Sequence, residues 1–164
     1  PRVSRHRAFR LETEALPWRH APEDLAAWQE GRTGLPIIDA AMRQLLETGW
    51  MHNRVRMIVA SYLCKHLRMH WREGARWFWD TLVDADAASN PFNWQWVAGS
   101  GPDSSPYFRV FNPELQAAKF DPADRYTRAN IEEWRTGEYP DPIVDLRETR
   151  ANALDAYETV RNRP

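Results

Sequence analysis

Trp50-Met51-His52-Asn53-Arg54-Val55-Arg56-Met57-Ile58-Val59-Ala60-Ser61-Tyr62-Leu63 is the run from which the rest of the chain can be read. At about 100° per residue, Met51, Val55, Ile58, Val59, Tyr62 and Leu63 gather on one side, so residues 51–67 are predicted to form one helix with that side in a core. Asn53, Arg56, Met57 and Ala60 gather on nearly the opposite side. A plain surface helix turns a charged face to water. An amide, one guanidinium, a thioether and a methyl instead suit contact with a ligand, although simple solvation of Asn53 and Arg56 is the alternative reading.

Downstream, Trp71, Trp77, Phe78, Trp79 and Leu82 have helical spacing across residues 71–83, taken as helical after Gly74, and Asp84-Ala85-Asp86 follows. Asn90 before Pro91 reads as a helix start, with the Asn90 side chain as cap, residues 92–97 as the helix and Gly99-Ser100-Gly101-Pro102 as its stop. Capping alone accounts for Asn90 and leaves room for a second role. Residues 106–113 read as irregular, with Gln116, Lys119 and Phe120 in the loop behind them.

Upstream, residues 1–19 read as a helix remnant and loop, and residues 22–28 as a short helix opened by Pro22 and ended by Gly31. Thr33-Gly34-Leu35-Pro36 is a turn into a helix with Ile38, Ala41, Met42, Leu45 and Leu46 on one stripe and Gly49 as terminator. Pro140-Asp141-Pro142 reads as a linker, and residues 148–161 as a terminal surface helix. No strand pattern occurs, so the expected architecture is all-α with long ordered loops and no sheet.

The totals narrow the function classes. A chain of 164 residues with 43% hydrophobic and 27% charged residues is one globular domain. Its net charge of -1 gives no global attraction to nucleic acid, so a DNA-binding surface would have to be a local patch. No apolar run is long enough to cross a bilayer, no secretory leader opens the chain, and the lone Cys64 points to a reducing compartment. A cytoplasmic monomer with no membrane partner is expected. The start at Pro1-Arg2-Val3-Ser4-Arg5-His6-Arg7, without Met, reads as the interior of something longer.

Asp84 and Asp86 lack the further acids or histidines a metal site needs, so no metal is expected; an acid beside Arg56 would instead make a charge-balanced pair. Phosphate-loop, dinucleotide and nucleophile-elbow motifs are absent. What remains is aromatic chemistry. Nine tryptophans can stack on bases, pass electrons or fill a core, and each taken singly is most simply core.

Trp50-Met51-His52-Asn53-Arg54-x-Arg56-Met57, Asp84-x-Asp86-x-x-x-Asn90, Asn93-Trp94-Gln95-Trp96 and Pro106-Tyr107-Phe108-Arg109-Val110-Phe111-Asn112-Pro113 together resemble the flavin-binding domain of the DNA photolyase/cryptochrome family. Gly34-x-Pro36-x-x-Asp39-Ala40-Ala41-Met42-Arg43-Gln44-Leu45 resembles the segment before those motifs. The match runs from about Trp18 to Phe120 and is most like a bacterial class I cyclobutane pyrimidine dimer photolyase. It implies the C-terminal part of an all-helical FAD-binding domain. Asn53, Arg56, Asp84, Ala85, Asp86 and Asn90 would surround FAD, and electrons would pass from Trp18 through Trp71 to Trp94.

The same resemblance implies a partner, damaged DNA, whose pyrimidine dimer is flipped into a cavity lined by Asn53, Arg54, Met57 and Trp96, while Arg109 and Gln116 hold the backbone. The implied reaction is light-driven electron donation from reduced FAD to the dimer, bond splitting and return of the electron. Residues 1–164 would then be a partial domain, without the α/β antenna domain and the first part of the flavin domain. An antenna pigment, folate or deazaflavin, would belong only to a full-length form. After Tyr126 the chain departs from the family pattern, passing directly through Trp134 to Tyr139-Pro140. Rival readings are a cryptochrome-like photoreceptor without repair and an inactive, truncated helical module.

Overall fold

A computed structural model describes residues 7–104, 106–107 and 109–161. Among them every regular element is helical, as the patterning predicts. Proline at the first position opens α1 (Pro22–Gln29) and α2 (Pro36–Thr48), where its missing N–H costs nothing. Gly49, left-handed at φ 68°, ends α2. α3 (Asn53–Ser61) and α4 (Trp71–Thr81) each begin behind a histidine, His52 and His70, whose side chain accepts an N–H two residues on, from Arg54 and Arg72. α5 (Ser89–Ala98), α6 (Pro113–Phe120), α7 (Arg125–Asn130) and α8 (Leu146–Arg161) complete the chain, with 3-10 turns at Leu11–Ala15 and Glu133–Arg135.

Five sequence expectations change. The single helix over 51–67 is α3 followed by a π-helical turn, Tyr62–His66; Met51 stands before the helix because His52 takes the cap. α4 begins at Trp71, ahead of Gly74, for the same reason. Asn90 does not cap: α5 starts at Ser89, and Asp86 accepts the Ala88 and Ser89 N–H groups at 3.0 and 2.7 Å. Gln116, Lys119 and Phe120 lie on α6, since Asn112 before Pro113 is the true Asn-Pro helix start, accepting from Glu114 and Leu115. The terminal helix is only partly a surface helix, burying Ala153, Ala156 and Val160. Of the helix remnant read in residues 1–19, residues 1–6 lie outside the described residues, and a short 3-10 turn occupies 11–15.

The core is built where α1 to α5 meet. Trp28, Ile38, Met42, Met51, Ile58, Val59, Leu63, Trp71, Phe78 and Trp94 are all essentially buried in one cluster. Trp28 lies 6.4 Å from Phe78 and 6.1 Å from Trp94, ring centre to ring centre, and satisfies its indole N–H on the Val59 carbonyl at 3.1 Å. A smaller cluster of Leu16, Tyr107, Ala153 and Val160, with Trp18 and Tyr157 against it, seats α8.

The segment after Tyr126 is held by polar contacts. Buried Asp39 accepts from Thr33 N–H, Thr33 Oγ1, Gly34 N–H and the Tyr139 hydroxyl. Gly34 is required here. Its φ is 76°, and a Cβ would stand 2.2 Å from the Asp141 carbonyl oxygen, so the 139–142 segment crosses directly over the turn.

Candidate functional site

α3, α4 and α5 do not close against one another along their whole length, and between them opens a cavity of about 460 Å³. α3 contributes Asn53, Arg56, Met57 and Ala60, the polar-sided face read from its wheel. The link between α4 and α5 contributes Asp84, Ala85 and Asp86, and α5 contributes Asn90, Trp94 and Trp96. Residues scattered over more than forty positions in sequence thus face one space, because the apolar side of α3 is taken up by the core.

The charges in the cavity are balanced. Arg56 Nη2 donates to Asp84 at 2.9 Å while its Nε donates to the Met51 carbonyl at 2.6 Å, which holds the guanidinium along the wall. Asp86 is exposed, and the N–H groups at the start of α5, Ser89 first, hold its carboxyl below the usual carboxylate range. It is an anion at neutral pH. Asn90 Nδ2 donates to the Ala75 carbonyl at 2.7 Å; a carbonyl can only accept, so the amide orientation is set and Oδ1 is the end left for a donor.

Trp94 forms the inner wall. Its ring sits 5.0 Å from Phe78, edge to face, and rests on Gly74, where a Cβ would come within 2.0 Å of the indole. Phe78, Ser89, Phe92, Asn93, Val97 and Asp103 also line the cavity, though the sequence reading gave none of them a place in the site. Asn93 and Val97 stand three and seven residues beyond Asn90, so the α5 wheel carried that signal. For Asp103, in the loop beyond α5, no periodicity could have pointed to it.

The remaining predicted residues lie elsewhere. Trp71 lines a second cavity of about 460 Å³ on the other side of α4 and α5, which Asn90 also reaches. Trp18 is further out, and His70 stands between: its ring is 5.0 Å from Trp18 and 5.5 Å from Trp71. His70 Nδ1 accepts from Arg72, and burial pushes its pKa down, so the ring between the two indoles is neutral. Arg54 points outside the cavity and lies 4.6 Å over the Phe120 ring, with Lys119 at 5.3 Å. Gln116 is one helical turn before Phe120 on α6, and Arg109 is exposed in the loop leading to it. Phe108 of that motif lies outside the described residues.

These residues suit the flavin that the resemblance implies. The cavity is mostly apolar and aromatic with a few converging polar groups, an anion beside amide acceptors and a neutralised arginine, which is what a planar heterocycle with N–H donors requires. Among the described residues no group of three His, Cys, Asp or Glu could hold a metal, and no helix is long and apolar enough to cross a membrane.

Residues 1–138 match the family model described as the FAD binding domain of DNA photolyase. The deoxyribodipyrimidine photo-lyase of Escherichia coli strain K12 is 46% identical over 180 residues, covering 98% of this chain and 38% of that protein. A bacterial class III photolyase from Agrobacterium tumefaciens superimposes with a TM-score of 0.93 at 45% identity, over 98% of this chain and 39% of that one. A cryptochrome from Synechocystis superimposes at 0.81 with 33% identity, over 89% and 35%. The chain therefore spans less than two fifths of the length of these relatives.

Proposed function

Because this chain belongs to the family of the FAD binding domain of DNA photolyase, we propose that its cavity holds FAD and serves light-driven repair of cyclobutane pyrimidine dimers in DNA. The observation that carries this reading is the convergence of Asn53, Arg56, Met57, Asp84, Asp86, Asn90, Trp94 and Trp96 on one cavity. Reduced FAD bound there supplies a light-excited electron to the dimer. Every other role belongs to this chain's side chains.

Asp86 would accept from a ring N–H of the bound group, and Asn90 would offer Oδ1 to the ring nitrogen that carries a proton after reduction. Being neutral, an amide in that place tolerates either charge state of the ring. The Arg56–Asp84 pair would border the ring without leaving a bare charge. Trp94 supplies the nearest oxidisable indole, and Trp71 and Trp18 continue the path outward past His70. Asn53, Met57 and Trp96 line the side that receives the flipped dimer, with Trp96 as a stacking wall and Arg54 at its margin. Arg109 and Gln116 contact phosphates and carry no sequence information. The working form is a cytoplasmic monomer acting on damaged duplex DNA.

The test is an absorption spectrum of the purified chain incubated with FAD, before and after blue light with a reductant, followed by addition of a dimer-containing duplex. Binding, bleaching and loss of dimers in the light alone are the expected result. A chain that carries no flavin absorbance once free FAD has been removed sinks the cofactor assignment. Likeness to the Synechocystis cryptochrome favours one second reading, photoreception without repair; bound, photoreducible flavin with dimers left intact would select it.

A further inference from the structure

α3 runs into the π turn Tyr62–His66, and the extra residue in that turn directs three side chains at one short piece of main chain. Lys65 Nζ donates to the Arg109 carbonyl at 2.9 Å. The Phe111 N–H donates to Ser61 Oγ at 3.2 Å, and His66 Nε2 donates to the Phe111 carbonyl at 3.0 Å. Ser61, Lys65 and His66 are all buried, whereas Arg109 itself is exposed. Burial holds the His66 pKa below its ordinary value, so the ring is neutral at pH 7. With Nε2 donating to Phe111, its Nδ1 is the acceptor and lies 2.8 Å from Thr149 Oγ1, whose single hydrogen is shared between this nitrogen and the Asp145 carbonyl at 2.7 Å.

Lys65 is the costly member of the trio. It is 1% exposed, and among the described residues no carboxylate stands within ion-pair reach; its ammonium has the Arg109 carbonyl and the face of Tyr107, 5.3 Å away. The chain has only two lysines, Lys65 and Lys119, among 22 basic residues, so a buried cation here is drawn from the type that is rare in this sequence. Lysine differs from arginine in being able to release its proton when buried.

We propose that Lys65 is a positioning residue for DNA: with Ser61 and His66 it clamps the main chain of residues 109–111 in the shape that presents Arg109 to a phosphate. This rests on the DNA-repair reading above. Burial, against the partial help of Cys64 and with the opposition of Arg109, brings the Lys65 pKa down from 10.5 to about 8. Its neighbours do not confuse the titration. Cys64 beside it on the turn is pushed up to about 12, Tyr107 on the loop is raised by burial against the opposing charge of Arg68, and His66 is lowered by burial with Arg150 of α8 adding to the effect. The hydrogen bond to the Arg109 carbonyl survives the titration, since a neutral amine still donates, but above about pH 8 the clamp loses the positive charge that stands beside Arg109 and adds to its attraction for a phosphate.

Because there are only two lysines, ¹³C labelling of their ε carbons reads Lys65 directly, and a fluorescent dimer-containing duplex at low salt reads the affinity. A Lys65 midpoint near 8 and a roughly tenfold fall in affinity through the same pH are expected. Lys65→Met should bind about tenfold more weakly at pH 7, lose the pH step, and retain its helical circular dichroism. Lys65→Met combined with Arg109→Gln should bind no more weakly than Arg109→Gln alone, an equality that a general loss of structure would not produce. Amide exchange at residues 109–111, which needs no DNA, should accelerate in Lys65→Met. Duplex binding with an unchanged pH profile in Lys65→Met, or additive losses in the double variant, overturns the clamp alone. A chain that binds no duplex while Lys65→Met still loosens residues 109–111 overturns DNA as the ligand of this face, and the proposal with it.

Discussion

Gly74 shows how much one missing methyl group decides. In most helix positions Ala is better than Gly by about 1 kcal/mol, but here a Cβ would meet the Trp94 indole at 2.0 Å. Gly74→Ala is expected to destabilise by about 1–3 kcal/mol, lowering Tm by several degrees in a thermal melt, and to weaken FAD binding by moving the cavity's inner wall. Trp94→Phe keeps an aromatic ring in that wall while removing the oxidisable indole. It should leave flavin colour in place and abolish photoreduction, read as loss of bleaching under blue light. Asp86→Asn retains an acceptor for the α5 amides but not the anion, and a roughly tenfold loss of FAD affinity in a titration is expected. Since the pKa of Asp86 is depressed, its contribution is present above the ordinary carboxylate range and disappears only as pH falls below it.

Asn112 governs α6 much as Asp86 governs α5. Its Oδ1 accepts two N–H groups, from Glu114 at 2.9 Å and Leu115 at 3.1 Å, and the helix that follows carries Gln116 and the Phe120 ring beneath Arg54. Asn112→Ala should cost about 1 kcal/mol in a denaturant melt and weaken DNA binding through Gln116, with flavin binding unaffected. The π turn is the other decisive element. A regular helix through residues 62–66 would rotate Lys65 and His66 away from the 109–111 main chain, and two buried donors would lose their acceptors.

Across the molecule, the resolved titrations combine into one stability profile. His66 and His70 have lowered pKa values through burial, so the unfolded chain binds more protons than the folded one in acid; the depressed carboxyls of Glu14, Asp121 and Glu133 act in the same direction. Lys65 extends the rise from about pH 8 toward 10.5. Cys64, which ionises at 9.0 when unfolded and at about 12 when folded, reverses the sign, joined at higher pH by the raised hydroxyls of Tyr62, Tyr107, Tyr126 and Tyr139. Stability against urea should therefore climb from acid to a maximum near pH 8–9 and fall beyond it. Long-range closure depends on Tyr139, whose hydroxyl reaches Asp39 at 2.6 Å across 100 residues of chain. Tyr139→Phe should cost about 1–3 kcal/mol, seen as a lower urea midpoint, by removing one donor from a buried carboxylate.

Local order was legible in the chain itself. Proline at helix starts, glycine at Gly49 and Gly99, and the apolar stripe of α3 follow from backbone sterics and from the period of 3.6, which act within a few residues and so leave their mark in the spelling. The membership of the cavity was also largely legible, because Asn53, Arg56, Asp84, Asp86, Asn90, Trp94 and Trp96 occur in motifs. Other features needed the assembled fold. The sequence could not show that Asp86 rather than Asn90 takes the first N–H groups of α5, since both are competent acceptors and the helix starts one residue ahead of Asn90, at Ser89. Nor could it show the His70 ring between Trp18 and Trp71, or the π turn that brings Lys65 and His66 onto the backbone of a loop more than forty residues away. Contacts of that kind depend on which buried polar groups meet once the helices have packed, and a chain spelled in one dimension carries no record of those meetings.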